Sequence, residues 1–221
     1  MHLCKNIYLT AALLTLLLPA KAISQTNPSE LAALSLEELG VHYVDAPVSG
    51  GTKGAEEASL AIMAGGAAEE FATVTAALSA MGRPVNVGPV GAGQLAKLAN
   101  QAIVGITIAA VAEAMLMLQN GGADPAAVRA ALKGGFADST ILQLHGARMT
   151  TGDFTPGGLC TLQLKDLNNA VSEAESFGLI LPTLINTRDR FQRLVTKLDG
   201  AELDHSALYL ELRDQNGLDD V

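Results

Sequence analysis

The sequence predicts an α/β segment followed by an all-helical domain. Three observations lead there. Residues 24–90 alternate helical and extended patterns, as an α/β layer does. After Gly93 no strand pattern is evident and the apolar residues recur at helical spacing. Hydrophobic residues make up 49% of the chain but aromatics only 4%, so Ala, Leu, Val, Ile and Met must fill the core, which suits closely packed helices.

Residues 1–22, MHLCKNIYLTAALLTLLLPAKA, hold an early lysine, a charge-free run from Ile7 to Leu18 and a small-x-small ending at Ala20-Lys21-Ala22. This is the layout of a secretory signal peptide, and it is too short to span a membrane. A buried segment of a shortened domain, or a misplaced start, gives a similar run. No other stretch nears the roughly 20 apolar residues of a membrane span without polar interruptions that a soluble helix explains.

Asn27-Pro28-Ser29-Glu30 reads as a helix start, with Leu31, Leu34, Leu36 and Leu39 behind it and Gly40 as its stop. Val41 to Val48 is a strand candidate, and Ser49 to Gly54 a loop. Leu60 to Met63 is a second strand, Glu69 to Met81 a helix, and Arg83 to Val87 a third strand. The glycine loop Gly88 to Gly93 follows. Gln94 to Asn120 reads as one long helix ended by Gly121-Gly122. Further helices are expected over 125–132, 139–149, 159–177 (stopped by Gly178), 182–198 (stopped by Gly200) and 206–213. The expected limits are a signal-like segment 1–23, an α/β part 24–90, a helical domain 91–213 and a tail 214–221 that frays.

The net charge of −9, with 14 scattered basic residues, argues against a nucleic-acid partner, because phosphate binding needs clustered Lys and Arg. Cys4 and Cys160 have no metal-ligand spacing, and the histidines at 2, 42, 145 and 205 are far apart. No metal site is expected.

The long helix is the most informative element. Lys97 and Glu113 are its charged residues, and the rest is mostly Leu, Ala, Ile, Val and Met. A helix apolar on nearly all sides is expected to be buried, against other helices and a second subunit. Lys97, Asn100 and Gln101 stand at i, i+3 and i+4, so they share a face. A lysine there can exchange protons near neutral pH if burial disfavours its charge. It can equally pack its stem and extend its head to water. Lys165-Asp166 is a second charged pair in an apolar helix, either functional or a structural ion pair. Ser49-Gly50-Gly51 follows a strand, where glycine backbone N–H groups can meet a carboxylate or simply make a tight turn. The dinucleotide fingerprint G-x-G-x-x-G is not present, because Gly88, Gly91 and Gly93 have another spacing.

DAPVSGG at 45–51, GA at 54–55, LAIMAGG at 60–66, GAGQLAKLANQ at 91–101, FTPGG at 154–158 and LKDL at 164–167 occur in an order that resembles the β-hydroxyacid dehydrogenases. That family includes 3-hydroxyisobutyrate dehydrogenase and tartronate semialdehyde reductase (2-hydroxy-3-oxopropionate reductase). The resemblance implies the α/β remnant of a Rossmann domain, then an all-α domain like the C-terminal one of 6-phosphogluconate dehydrogenase. It implies hydride transfer between the nicotinamide of NAD or NADP and a small 3-hydroxy acid or its semialdehyde. Lys97 would be the general acid/base. Ser49, Gly50 and Gly51 would hold the substrate carboxylate, and Asn100 and Gln101 would orient its hydroxyl. Lys165 and Asp166 would lie near the nicotinamide. It further implies a homo-oligomer formed through the helical domain and a cytoplasmic location, or export if residues 1–22 act as a signal. The family's glycine-rich front half has no counterpart here. A shortened chain that serves as a non-catalytic dimerisation or acid-binding protein is the alternative.

Overall fold

The structure, a computed structural model, describes residues 41–218. The signal-like segment and the helix expected over 27–39 lie outside the described residues. The chain divides into two compact units, one ending at Lys97 and the other beginning at Leu98.

The first unit is a three-stranded sheet of order β1-β2-β3: β1 (Val48–Ser49), β2 (Leu60–Gly65) and β3 (Gly82–Gly88). Helix α1 (Gly51–Glu56) joins β1 to β2, and α2 (Ala68–Ser79) joins β2 to β3. β2 and β3 are parallel, with Leu60 opposite Gly82 and Met63 opposite Val85. β1 is antiparallel to β2, with Val48 opposite Ile62. The period-two alternation of β2 buries Leu60, Ile62 and Ala64. At the start of the parallel ladder Gly82 is required by space, because a Cβ there would lie 2.1 Å from the Leu60 carbonyl oxygen.

Two expectations fail here. The strand expected over 41–48 reduces to a bridge between Asp45 and Gly65 plus the two residues of β1. Pro47 interrupts it: proline has no N–H for the ladder, and only its carbonyl is used, accepting from Met63 N at 3.0 Å. The loop expected over 49–54 is instead helical from Gly51. Gly50 turns the chain at φ 142, and Gly54 N then donates to Gly50 O at 3.0 Å.

The second unit is helical. α3 (Ala92–Asn120) runs into it from the first, followed by α4 (Pro125–Leu132), α5 (Thr140–Thr151), α6 (Cys160–Ser176), α7 (Pro182–Lys197), a 3-10 turn (His205–Ala207) and α8 (Leu208–Gln215). Its core joins Ile108, Met115, Met149, Leu167, Phe191, Leu194, Leu208 and Tyr209, all essentially inaccessible. The stops follow local chemistry. After α3, Gly122 adopts φ 75, Gly122 N donates to Gln119 O and Ala123 N to Leu118 O, which is the Schellman pattern. Gly178 does the same after α6. After α7 the left-handed residue is Asp199 (φ 54) rather than the expected Gly200. Gly200 is needed for room, since its Cβ would meet Leu194 Cδ1 at 2.6 Å. α8 extends to Gln215 and closes in the same way, with Leu218 N donating to Arg213 O.

α3 is less enclosed than its composition suggests. Ile108, Ala109, Val111, Ala112, Met115 and Leu116 are buried, while Ile103 and Met117 are 66% and 70% exposed. It is also the one helix among the described residues long and apolar enough to cross a membrane, with a window of mean hydropathy 1.9. Length and composition therefore do not exclude a span, contrary to the sequence reading. The heptad-spaced buried face is that of a core helix in a globular unit.

Candidate functional site

In the first unit the chemistry collects where α3 begins. Asp45 is 4% exposed, and its carboxylate accepts from Gly91 N at 2.6 Å and Gln94 N at 2.8 Å. It supplies the negative charge that the N-terminal turn of a helix favours. Gly65 and Gly93 make room for it, because a Cβ on either would lie 2.5 Å from an Asp45 carboxylate oxygen. One turn further along α3, the Lys97 ammonium donates to Val48 O at 2.9 Å. Lys97 is half-buried and stands beside the start of the Ser49-Gly50-Gly51 turn. Ser49 ends β1 half-buried, and Gly50 and Gly51 are exposed with φ 142 and 62. Asp45 and Lys97 tie the first turns of α3 to the sheet, which is why the first compact unit extends to Lys97.

In the second unit four of the sequence-derived residues form one chain of bonds. Asn100 Nδ2 donates to Gln101 Oε1 at 2.8 Å, and Gln101 Nε2 donates to Asp166 Oδ2 at 2.6 Å. The other Asp166 oxygen lies 3.4 Å from the ammonium of Lys165, which is mostly exposed. Gln163, 3% exposed, locks α6 to α3 by donating to Gln101 O at 3.1 Å. The helices approach closely at Gly105, where a Cβ would be 3.0 Å from Gln163 Nε2 and from Leu167 Cδ2. Gln163 carried no sequence signal beyond its place next to LKDL.

A second cluster of the helical unit was missed altogether. Asp204 is 1% exposed. One of its oxygens accepts from Ser206 N and Ser206 Oγ, the other from Gly157 N and Gly158 N, and Arg148 Nη1 is 3.2 Å away. Burial opposes its ionisation, but the bonds from Ser206, Gly158 and Gly157 outweigh this and hold its pKa at about 2. The rings of His145 and His205 meet edge to face at 4.6 Å. Burial, with His205 beside it, pushes His145 down to about 4, and burial lowers His205 as well, so both imidazoles are neutral at pH 7. Cys160 donates from Sγ to Asp204 O, and burial raises its thiol to about 12, which makes it unreactive. The histidines are sixty residues apart, so spacing could not have joined them.

A dinucleotide needs a helix N-terminus for its pyrophosphate. In the first unit the start of α3 is already taken by Asp45, and α2 opens with Glu69 and Glu70. Neither of these two helix starts therefore suits a pyrophosphate.

Residues 91–212 match the family model described as NAD-binding of NADP-dependent 3-hydroxyisobutyrate dehydrogenase. Residues 20–91 match that of the NAD binding domain of 6-phosphogluconate dehydrogenase. The 2-hydroxy-3-oxopropionate reductase of Escherichia coli is 45% identical over 189 residues, covering 84% of this chain and 64% of its own length. Among solved structures, 3-hydroxyisobutyrate dehydrogenase from Salmonella typhimurium aligns with a TM-score of 0.71 at 26% identity, over 82% of this chain and 64% of that one. The Mycobacterium tuberculosis 3-hydroxyisobutyrate dehydrogenase with L-serine aligns at 0.69 and 29% identity, over 77% and 60%. The chain thus spans less than two thirds of the length of these relatives.

Proposed function

We propose, from the premise that this chain belongs to the β-hydroxyacid dehydrogenase family, that it is an NAD(P)-dependent oxidoreductase of a small 3-hydroxy acid or its semialdehyde. NAD or NADP is the cofactor of the family. The observation that carries the reading is Lys97, whose ammonium is fixed at 2.9 Å to Val48 O, next to the Ser49-Gly50-Gly51 turn.

The substrate carboxylate would meet Ser49 and the exposed backbone of Gly50 and Gly51, which admit an anion closely because they have no side chain. Lys97 would then exchange a proton with the hydroxyl or carbonyl oxygen. In the oxidising direction its neutral amine accepts the hydroxyl proton. In the reducing direction the ammonium gives a proton to the forming alkoxide. The Val48 bond fixes the direction of Nζ without neutralising it. Asn100 and Gln101 would orient the substrate oxygen, and the Asp166 carboxylate fixes the Gln101 amide. Lys165 and Asp166 would face the nicotinamide end of the cofactor. The nicotinamide is the family's hydride carrier, and this chain's residues account for the proton half of the transfer. The E. coli relative's name, a reductase of 2-hydroxy-3-oxopropionate, supports a semialdehyde as substrate. The proposal includes a cytoplasmic location and a homo-oligomer joined through the helical unit; the exposure of Ile103 and Met117 on its long helix supports the latter.

The occupied start of α3 favours a second reading, a non-catalytic protein that binds small acids. Titration of the purified chain with NADH and NADPH, followed by nucleotide fluorescence, separates the two. The oxidoreductase reading expects saturable binding of at least one. No saturable binding of either, alongside calorimetric binding of 3-hydroxyisobutyrate or glycerate, supports the second.

A further inference from the structure

We propose that His145, Asp204 and His205 form a binding site for a divalent transition-metal ion of zinc-like ligand preference. His145 lies on α5, Asp204 caps the 3-10 turn and His205 is the first residue of that turn, and one ligand atom from each lies within 4.8 Å of the others. All three belong to the helical unit, and the inference does not depend on the proposed reaction.

The central observation is an unsatisfied nitrogen. His145 is 7% exposed, and its Nδ1 is fully buried with no hydrogen-bond partner. Interior polar atoms without a partner are uncommon and ask for an explanation such as an ion. His145 Nδ1 stands 3.7 Å from Asp204 Oδ1, too far for a hydrogen bond. With zinc–nitrogen and zinc–oxygen bonds of about 2.0–2.1 Å, the edge of a tetrahedral site is about 3.3 Å. The observed gap needs only a few tenths of an ångström of closure. His205 is half-buried, and its ligand atom, within 4.8 Å of the other two, would move in by up to about 1.5 Å to reach that edge.

The surrounding groups suit this role in part. His205 Nδ1 is 3.4 Å from Gln163 Oε1, so donation there would leave Nε2 as the ligand and fix the ring, the usual outer support of a metal-bound histidine. Asp204 Oδ1 already accepts from Ser206, and Arg148 shares the charge of Oδ2, so the carboxylate is a weakened ligand. Three protein ligands leave a fourth position for water, and the affinity falls below that of a four-ligand structural zinc site.

The test uses the full chain stripped with chelator at neutral pH. Equilibrium dialysis with Zn²⁺ should find one ion per chain, Co²⁺ should develop the visible absorption of a tetrahedral site, and Zn²⁺ should raise the melting temperature. His145→Ala and His205→Ala should each weaken uptake at least tenfold, whereas His42→Ala should leave it unchanged. If either variant fails to fold, the wild-type ring resonances decide: those of His145 and His205 should shift together on Zn²⁺ addition. No saturable uptake by the wild-type chain, shifts confined to other histidines, or a folded His145→Ala that binds as tightly would overturn the proposal.

Discussion

Removing the charge of Asp45 should loosen the start of α3 and with it the anchor of Lys97. The carboxylate is buried and takes two backbone N–H groups, Gly91 at 2.6 Å and Gln94 at 2.8 Å. Asp45→Asn keeps the shape but leaves one oxygen, so its amide hydrogens must face one of those N–H groups. A hydrogen bond to a charged group contributes about 1.5–3 kcal/mol, and a buried donor left unsatisfied costs about 1–3 kcal/mol. Losing one bond and weakening the other should cost roughly 2–4 kcal/mol. Asp45→Ala should cost more, since both donors lose their acceptor inside the space kept by Gly65 and Gly93. With no tryptophan in the chain, urea unfolding is best followed by circular dichroism. Hydrogen exchange over residues 88–97 should locate the loss in the first turns of α3. A stability of Asp45→Asn within about 0.5 kcal/mol of wild type, with unchanged exchange there, would refute the capping role, since caps alone are worth about that much or more.

Glu211 is fully buried between Arg190 at 3.0 Å and Arg193 at 3.1 Å, and these keep only their exposed partners Glu113 and Asp214 without it, so Glu211→Ala should destabilise the helical unit by about 1.5–3 kcal/mol, the range for a hydrogen bond to a charged group; a loss below about 0.5 kcal/mol in urea melts would contradict this. Stability of the chelator-treated chain should fall with acidity. His145 takes up its proton near pH 6.5 when unfolded but only near 4 when folded, so the unfolded state binds more protons between those values. At about 1.4 kcal/mol per pH unit, on the order of 3 kcal/mol present above pH 6.5 is lost by pH 4. His145→Gln should remove much of that slope, and an unchanged slope would show that another group causes it. If Ser49 binds the carboxylate, Ser49→Ala should raise KM for the acid severalfold and leave cofactor affinity unchanged.

The helical half was the more legible in the sequence. Its stops rest on local chemistry, and Gly122, Gly178, Asp124 and Ser139 act through the turns and caps that their neighbours announce. The pairing of Gln101 with Asp166 was also within reach, because both lie in apolar helices that need polar groups to meet. The α/β half was harder. Pro47 breaks a strand that its apolar neighbours favour, and the Gly51 helix depends on a turn at Gly50 that glycine permits but does not dictate. Asp45 was visible only as a charge inside an apolar run, and its use depends on residues 46 and 49 positions later. His145 and His205 are joined only by tertiary packing, which spacing along the chain does not encode.

The most direct test of the account is the rate at which the chain reduces 2-hydroxy-3-oxopropionate with NADH or NADPH, compared with Lys97→Ala. The account predicts turnover by the wild-type chain and a loss of about 10²–10⁴-fold in the variant, the range for a missing general acid, with acid binding retained. Near-normal turnover by Lys97→Ala, or none by the wild-type chain with either nucleotide, would contradict it.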